Sequence, residues 1–139
     1  MTVRFLLDSN VLSEPVRAAP NLVMVRRIEA HDGEIATAAV VWHELLFGCF
    51  RLPPSRKRTA LEAYLYESLR PRVAVLPYDE AAAAWHARER ARLAAIGRSA
   101  PFEDGQIAAT AAVNGLTLVT GNRAHFQNFD DLEIEDWRE

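Results

Sequence analysis

The sequence predicts an α/β protein, a three-layer α/β/α sandwich with a mostly parallel central sheet. Short apolar runs that contain β-branched residues alternate along the chain with longer segments in which apolar residues recur at helical spacing. Strands separated by helices pair in parallel, because parallel neighbours need crossover connections, and helices then cover both faces of the sheet. With 139 residues, half of them hydrophobic, the chain has the size of one domain, which we place at residues 1–139.

Four apolar runs have the length and composition of buried strands. They are residues 3–7, 35–41, 73–76 and 116–120. The first run ends at Asp8-Ser9-Asn10, whose residue types are typical of a turn. The ending, residues 123–139, is short and acidic, and we assign it neither a strand nor a helix.

Six segments between these runs have helical spacing. They are residues 10–16, 22–28, 41–52, 55–69, 79–97 and 102–114. Pro15 and Pro20 separate the first two, since proline interrupts a helix. Ser55 and Asp79 are residue types that cap helix N-termini, and each stands where a helix is predicted to begin.

The charge of the chain limits the kinds of partner that it can have. A formal charge of −3 argues against a protein that coats nucleic acid over its whole surface. Fifteen of the sixteen basic residues are arginines, which pair well with phosphate, so local contacts with nucleic acid remain open. No apolar run is long enough to span a membrane and no basic segment precedes one near the N-terminus, so we expect a soluble cytoplasmic protein without a membrane partner.

Three of the nineteen acidic residues directly touch apolar runs, where burial of a charge needs a reason. Asp8 follows the first strand, Glu44 lies in the third predicted helix, and Asp104 stands near the start of the last one. A fourth polar residue, Asn122, follows the last strand. Ligands bind beyond the carboxyl ends of parallel strands, so we expect these side chains to share a cleft.

Carboxylates that share a cleft cannot all remain ionised unless a cation compensates them. Oxygen ligands select hard ions, so Mg²⁺, or Mn²⁺, is the expected cofactor. Such an ion keeps coordination positions open for water and for a phosphate group, and phosphodiester hydrolysis needs both. Taken singly, each acid has a simpler explanation: Asp8 and Asp104 as helix caps, and Glu44 as the partner of an arginine.

Four segments resemble the motifs of PIN domains, in family order and at family spacing. They are residues 5–12, 41–48, 104–109 and 118–122, and the ending at residues 125–137 is similar to the tail of VapC toxins. The resemblance spans nearly the whole chain. It implies a Mg²⁺-dependent endoribonuclease, the toxin of a toxin–antitoxin pair, that cuts RNA, with transfer RNA as the implied target. It also implies a homodimer and inhibition by a small antitoxin protein whose tail occupies the cleft.

The resemblance also implies roles for individual residues. Asp8, Glu44 and Asp104 would bind metal directly or through water, and Thr120 would hydrogen-bond a metal ligand. Asn122 departs from the family pattern, because many members have an acid there. A second metal would therefore bind more weakly, or Asn122 would hold a water or a substrate oxygen. His125 stands where relatives often carry an acid, and we assign it a surface or structural role.

Two other functions are compatible with parts of this pattern. A catalytically silent protein with the same fold would bind RNA or a partner without cutting, through exposed apolar helices near Leu12, Val16, Leu22 and Phe50. An aspartate-nucleophile phosphatase would also place an acid such as Asp8 after its first strand. That class needs a lysine at a later strand end, and the only lysine here is Lys57, in a predicted helix.

The position of Glu89 is a feature that the family pattern does not explain. At helical spacing it falls in the middle of an apolar stripe of its helix, where acids are rare. We expect either an arginine partner at an interface or a peripheral contribution to the acidic cleft.

Overall fold

The centre of the protein is a five-stranded sheet in which every strand pair is parallel, in the order β3-β2-β1-β4-β5. The computed structural model describes residues 2–139. The strands are β1 Phe5–Leu7, β2 Ile35–Ala38, β3 Ala74–Leu76, β4 Thr117–Val119 and β5 Ile134–Glu135. All three residues of β1 are buried although successive side chains point to opposite faces, so both faces of the sheet are covered. The predicted sandwich is confirmed, with a sheet that is fully parallel.

Seven α-helices flank the sheet within residues 2–139. They are α1 Ser9–Leu12, α2 Leu22–Ala30, α3 Ala39–Phe50, α4 Arg56–Ala63, α5 Glu80–Ala95, α6 Phe102–Val113 and α7 Arg123–Phe126. Short 3₁₀ turns at Glu14–Val16 and Arg70–Arg72 join some of them, and a π-helical stretch, Tyr64–Leu69, prolongs α4. No helix in the part of the chain that the structure describes is long and apolar enough to cross a membrane.

Side-chain caps start the helices at the predicted places. The Ser55 hydroxyl accepts a hydrogen bond from the backbone N–H of Arg58, and the Asp79 carboxylate accepts one from that of Ala82, at 3.1 and 2.9 Å. Each cap stabilises its helix by about 1 kcal/mol because it satisfies an otherwise unpaired N–H group. The second strand is shorter than predicted, since α3 begins at Ala39 and takes over the apolar residues that follow.

The acidic ending is more ordered than the sequence indicated. It adds β5 to the sheet and buries Trp137, which is 1% exposed and packs edge-on against Phe5 at 5.1 Å between ring centroids. A two-residue strand is too short to show a periodicity in the sequence. It is recognised only from its parallel pairing with β4 at the edge of the sheet.

Glu89 fastens the C-terminal segment to α5. Its side chain is largely buried and accepts two hydrogen bonds from the Arg92 guanidinium, at 2.8 and 2.9 Å, and one from the backbone N–H of Asp130 at 2.6 Å. Arg92 also donates to the carbonyl oxygen of Asn128 at 2.7 Å. The expected arginine partner is therefore present, within the chain itself. The hydrogen bonds from Arg92 hold the pKa of Glu89 below its usual value.

We expect the Glu89→Leu substitution to lower the free energy of unfolding by about 2 kcal/mol, because it leaves the Asp130 N–H and the Arg92 guanidinium without their buried acceptor. Urea unfolding followed by circular dichroism measures this. Glu29→Leu is the matched control, since Glu29 is exposed on α2 and should change stability by no more than about 0.5 kcal/mol. A Glu89→Leu protein as stable as the wild type would show that apolar packing fully replaces the hydrogen bonds.

Candidate active site

Asp8 lies where β1 ends, at the carboxyl edge of the sheet. Its backbone N–H donates to the carbonyl oxygen of Val119, which continues the β1–β4 pairing by one residue. Carboxylate oxygen Oδ1 accepts from the N–H of Ser9 at 2.8 Å and so caps α1. The other oxygen, Oδ2, accepts from the Thr120 hydroxyl at 2.9 Å. Capping and site formation are therefore compatible, because each uses a different oxygen of the same carboxylate.

A short hydrogen-bonded network fixes the loop beside Asp8. The Thr120 hydroxyl accepts a hydrogen bond from the backbone N–H of Asn122 at 3.0 Å, which directs its own proton toward Asp8. The Asn10 side chain accepts from the N–H of Gly121 at 3.0 Å and donates to Asp8 Oδ2 at 3.5 Å. From the sequence, Asn10 was expected only to form part of the turn after the first strand. Its position two residues after the buried acid was the available signal.

Glu44 and Asp104 reach the same region from two helices that pack against each other, α3 and α6. Burial raises the pKa of Glu44 to about 7, with further contributions from a hydrogen bond with the Glu103 carboxyl group and from the charges of Glu103, Asp8 and Asp104. Burial also raises the pKa of Asp104, and the charge of Asp8 adds to this rise. The structure therefore brings together the three acids that the sequence singled out.

Two residues at this cleft were not expected there. Glu103 precedes Asp104 in the first turn of α6 and places a further carboxyl group beside Glu44. His125 has a side chain that is 59% exposed, in keeping with the predicted surface position, but its Nδ1 lies 3.7 Å from Asp104 Oδ2. The charge of His125 lowers the pKa of Asp104 and partly offsets the effect of burial. For Glu103, its position directly before Asp104 was the available signal, whereas only folding places His125 beside Asp104.

Asn122 stands at the start of α7 and is exposed. Its backbone N–H is used by Thr120, whereas its side-chain amide makes no hydrogen bond within residues 2–139. The amide remains available to a ligand that approaches this loop.

The acidic cleft, which we define by Asp8, Glu44, Glu103 and Asp104, has the donor chemistry of a site for a hard cation. All of its donors are oxygens, and burial raises the pKa values of Glu44 and Asp104, with a smaller contribution from repulsion by neighbouring carboxylates. Within residues 2–139, no three acidic, histidine or cysteine side chains are close enough to form a ready-made metal cage. An ion that keeps part of its water shell and takes one or two carboxylates, as Mg²⁺ does, fits this arrangement.

Comparisons with known proteins point in the same direction. Residues 5–132 match the family described as PIN domain. The chain is 34% identical to Toxin FitB of Neisseria gonorrhoeae (strain ATCC 700825 / FA 1090) over 137 residues, covering 96% of this chain and 99% of that protein. It is 32% identical to the tRNA(fMet)-specific endonuclease VapC of Shigella flexneri, covering 97% and 98%.

Solved structures extend the likeness to three dimensions. FitAB bound to an IR36 DNA fragment gives a TM-score of 0.85 at 29% identity, covering 97% of this chain and 96% of that one. DNA-bound VapBC from Salmonella typhimurium gives 0.82 at 27% identity, covering 97% and 98%. The similarity therefore extends over nearly the full length of both chains.

The raised pKa of Glu44 has a consequence for stability that can be measured. Its folded pKa of about 7 exceeds the ordinary value of 4.5, so the folded state binds the proton more tightly than the unfolded state. The free energy of unfolding therefore falls as the pH rises from about 4.5 to about 7 in metal-free protein. We expect Glu44→Gln, which removes this titration, to melt at a higher temperature than the wild type in EDTA at about pH 8, with the difference shrinking toward pH 4.5.

Melting curves recorded across this pH range, with EDTA and with Mg²⁺, test this expectation. Mg²⁺ should reduce or reverse the advantage of Glu44→Gln, because bound metal relieves the repulsion among the wild-type acids. Two metal-free curves that run parallel at all pH values would show that Glu44 is not destabilising.

Proposed function

The chain belongs to the PIN domain family, among the VapC-type ribonuclease toxins of toxin–antitoxin systems, and on that premise we propose that it hydrolyses RNA at the acidic cleft with the help of Mg²⁺. One observation carries the assignment of the site. Burial raises the pKa of Glu44 to about 7, and a hydrogen bond with Glu103 and the charges of Glu103, Asp8 and Asp104 add to this rise, so the acids of three separate elements act on one another. A cluster that is unfavourable without a cation and lies beyond the carboxyl ends of parallel strands is built to bind a ligand.

We assign the following roles to the residues of the cleft. Asp8 and Asp104 hold the ion, and Glu44 orients the attacking water or completes the coordination. When bound, Mg²⁺ supplies a Lewis acid that polarises the phosphate and lowers the pKa of a water molecule. Thr120 keeps the Asp8 carboxylate in one orientation through its 2.9 Å hydrogen bond. Asn122 offers its side-chain amide to a water or a substrate oxygen.

Transfer RNA is the substrate that we propose. Two relatives, at 32% and 29% identity, are described as tRNA(fMet)-specific endonucleases. Transfer RNA would be met in the cytoplasm, where we place the protein. Mn²⁺ has the same preference for oxygen ligands and is expected to substitute for Mg²⁺.

Two rival functions make different predictions. A catalytically silent binding protein would need no cluster of mutually repelling carboxylates, which costs stability in the absence of metal. An aspartate-nucleophile phosphatase would need a lysine at the end of a later strand, and the only lysine, Lys57, lies on α4.

We also propose a small antitoxin as a partner, bound in the apolar groove, which we define by Ser13, Val16, Lys57, Ala60 and Leu61. This groove, about 360 Å³ in volume, lies between the end of α1 and α4, and Val16 in it is 46% exposed. Exposed apolar surface of this kind suits the apolar face of a partner's helix. Toxin–antitoxin complexes among the structural relatives support the proposal.

The resemblance that implies an antitoxin also implies a second copy of the chain. Phe47 and Phe50 share one face of α3 and are 60% and 41% exposed, which leaves apolar surface for a homodimer. Sedimentation equilibrium of the purified toxin tests the dimer directly.

The cleavage experiment uses a mixed RNA pool that includes transfer RNA. We expect cutting with Mg²⁺ and none with EDTA, and a loss of at least about 100-fold in rate for Asp104→Asn, since mutating residues that only orient a metal ligand already costs about 10–100-fold. The matched control is Asp131→Asn, which removes the same charge near the amino end of β4 and keeps a residue that tolerates the observed φ of 56°. It should cut like the wild type.

A second readout separates metal binding from catalysis. Mg²⁺ should raise the melting temperature of the wild type and of Asp131→Asn, but not that of Asp104→Asn. Antitoxin-free protein that binds RNA without cutting it under either metal would instead establish the silent binding function. Accumulation of a phosphorylated Asp8 would revive the phosphatase.

Antitoxin binding is tested with the Val16→Asp substitution, which places a charge in the apolar groove. We expect its affinity for the antitoxin of the same pair to fall at least about tenfold in a titration, because the charge must be desolvated on binding. Cleavage of RNA by the isolated toxin should change less than antitoxin affinity, since Val16 lies in a depression that Glu44 borders but is not one of the four acids of the cleft. Unaltered antitoxin affinity would exclude the apolar groove as the binding surface.

A further inference from the structure

A second depression opens on the other side of the acidic cleft, next to Asp104. It has a volume of about 260 Å³ and lies between the end of α5, the loop that leads to α6, and α7. We call it the Arg98 pocket: Leu93 and Phe129 form its floor, and Arg98, Ser99 and His125 stand around it together with Asp104. Asp104 belongs to both the acidic cleft and this pocket, so a ligand in the pocket lies directly beside the proposed reaction site.

The floor of the Arg98 pocket is apolar and continuous with the hydrophobic core. Leu93 and Phe129 are both buried members of the hydrophobic core. The Phe129 ring also packs against Trp85 and Phe126, with centroid distances of 5.9 and 6.5 Å. A flat apolar ligand would therefore meet a surface that is already in place.

Hydrogen bonds hold the two walls of the pocket apart from each other and in position. On one side, Gly97 adopts a φ of +69° and the N–H of Arg98 donates to the carbonyl oxygen of Leu93 at 2.8 Å, which fixes the turn after α5. On the other side, Arg92 donates to the carbonyl oxygen of Asn128, while Glu89 holds Arg92 itself. Because the pocket exists before a ligand binds, little ordering of the chain opposes binding.

Two basic side chains line this pocket above its apolar floor. Arg98 makes no ion pair or side-chain hydrogen bond with any residue in the range 2–139, so its guanidinium donors are available to a ligand. His125 lies on the cleft side, 3.7 Å from Asp104. A ligand that suits this arrangement has a flat apolar face for the floor, hydrogen-bond acceptors for Arg98, and an attached group that reaches the acidic cleft.

We propose that the Arg98 pocket receives one unpaired nucleobase of the RNA substrate, the base next to the phosphate that is cut. This inference rests on the proposed ribonuclease function and adds a binding site to it. The volume is slightly below the 300 Å³ or so at which pockets for larger ligands begin, which suits a single base. A base in the pocket stacks on the apolar floor and accepts hydrogen bonds from Arg98, so the RNA must be single-stranded at that nucleotide.

The two depressions beside the acidic cleft differ in polarity. This difference favours antitoxin binding in one and RNA binding in the other. Glu44 borders a depression that is continuous with the apolar groove at Val16 and Leu61, whose exposed surface is mostly apolar. Asp104 borders the Arg98 pocket, which carries unpaired hydrogen-bond donors around an apolar floor. The first suits the face of an amphipathic helix, and the second suits a base attached to a phosphate chain.

The test combines modified RNA with a variant that fills the pocket. Ala124 lines the pocket from α7 and is exposed, so Ala124→Trp blocks the space without disturbing the core. Arg98→Ala removes the proposed donor. The matched controls are Ala84→Trp, an exposed alanine on α5 outside the pocket, and Arg26→Ala, an exposed arginine on α2. Melting curves confirm that each variant is folded.

The substrates are short single-stranded RNAs that span the wild-type cut, each with an abasic nucleotide at one position near it. We expect the wild type to lose about tenfold in kcat/KM at one position adjacent to the cut, which corresponds to about 1.4 kcal/mol and is of the size that stacking of one base contributes. Ala124→Trp and Arg98→Ala should cut the intact RNA more slowly than the wild type. Both should cut the abasic RNA at the wild-type rate, and both controls should behave like the wild type.

Binding in EDTA gives a readout that does not depend on cutting. Fluorescence anisotropy with short homopolymeric RNAs and their abasic analogue should show weaker binding of the abasic chain by the wild type, and no such difference for Ala124→Trp. If the wild type cuts no RNA, the proposed catalysis fails, whereas this base-dependent binding would still support the pocket.

Two results would overturn the proposal. One is cutting and binding that do not depend on any base near the cut, or that keep their full dependence in Ala124→Trp. The other is Ala124→Trp that handles RNA like the wild type but has lost affinity for the antitoxin, which would assign the pocket to the antitoxin instead.

Discussion

The parallel pairing of β1 with β4 is the constraint on which the site depends. Leu7 pairs with Val119, so the next residue of each strand, Asp8 and Thr120, meet at the same edge of the sheet. An antiparallel arrangement would send the two strand ends to opposite edges. The Thr120 hydroxyl then fixes one carboxylate oxygen of Asp8 while α1 uses the other, and the remaining acids come to this fixed group from α3 and α6.

Several carboxylates placed together lower the free energy of unfolding. A nearby positive charge and the uptake of a proton partly offset this loss. His125 opposes the rise in the pKa of Asp104, and Glu44 takes up a proton near neutral pH when no metal is present. The core beneath the cleft is buried, with β1 and β2 covered on both faces and Trp137 joining the tail to β1. A stable scaffold of this kind can carry a site whose charges repel one another until a cation arrives.

Two depressions of different polarity border the acidic cleft, and Glu44 and Asp104 each lie beside a different one. Glu44 lies on the side of the apolar groove, where α4 offers exposed aliphatic surface. Asp104 lies on the side of the Arg98 pocket, whose wall depends on the hydrogen bonds of Glu89. Glu89 therefore acts on this pocket from a distance. It holds Arg92, which in turn donates a hydrogen bond to the carbonyl oxygen of Asn128 in the pocket wall.

The sequence by itself determined the layered fold, the helix caps at Ser55 and Asp79, and the identity of three acids, because each of these depends on local composition and periodicity. Residues that follow a strand or begin a helix are recognisable from their immediate neighbours in the chain. Only the tertiary structure decided that β5 joins the sheet, that Asn10 and Glu103 contribute to the cleft, and that Glu89 finds Arg92 and Asp130. These contacts join segments far apart in sequence or depend on the direction of a side chain, and no local pattern encodes either.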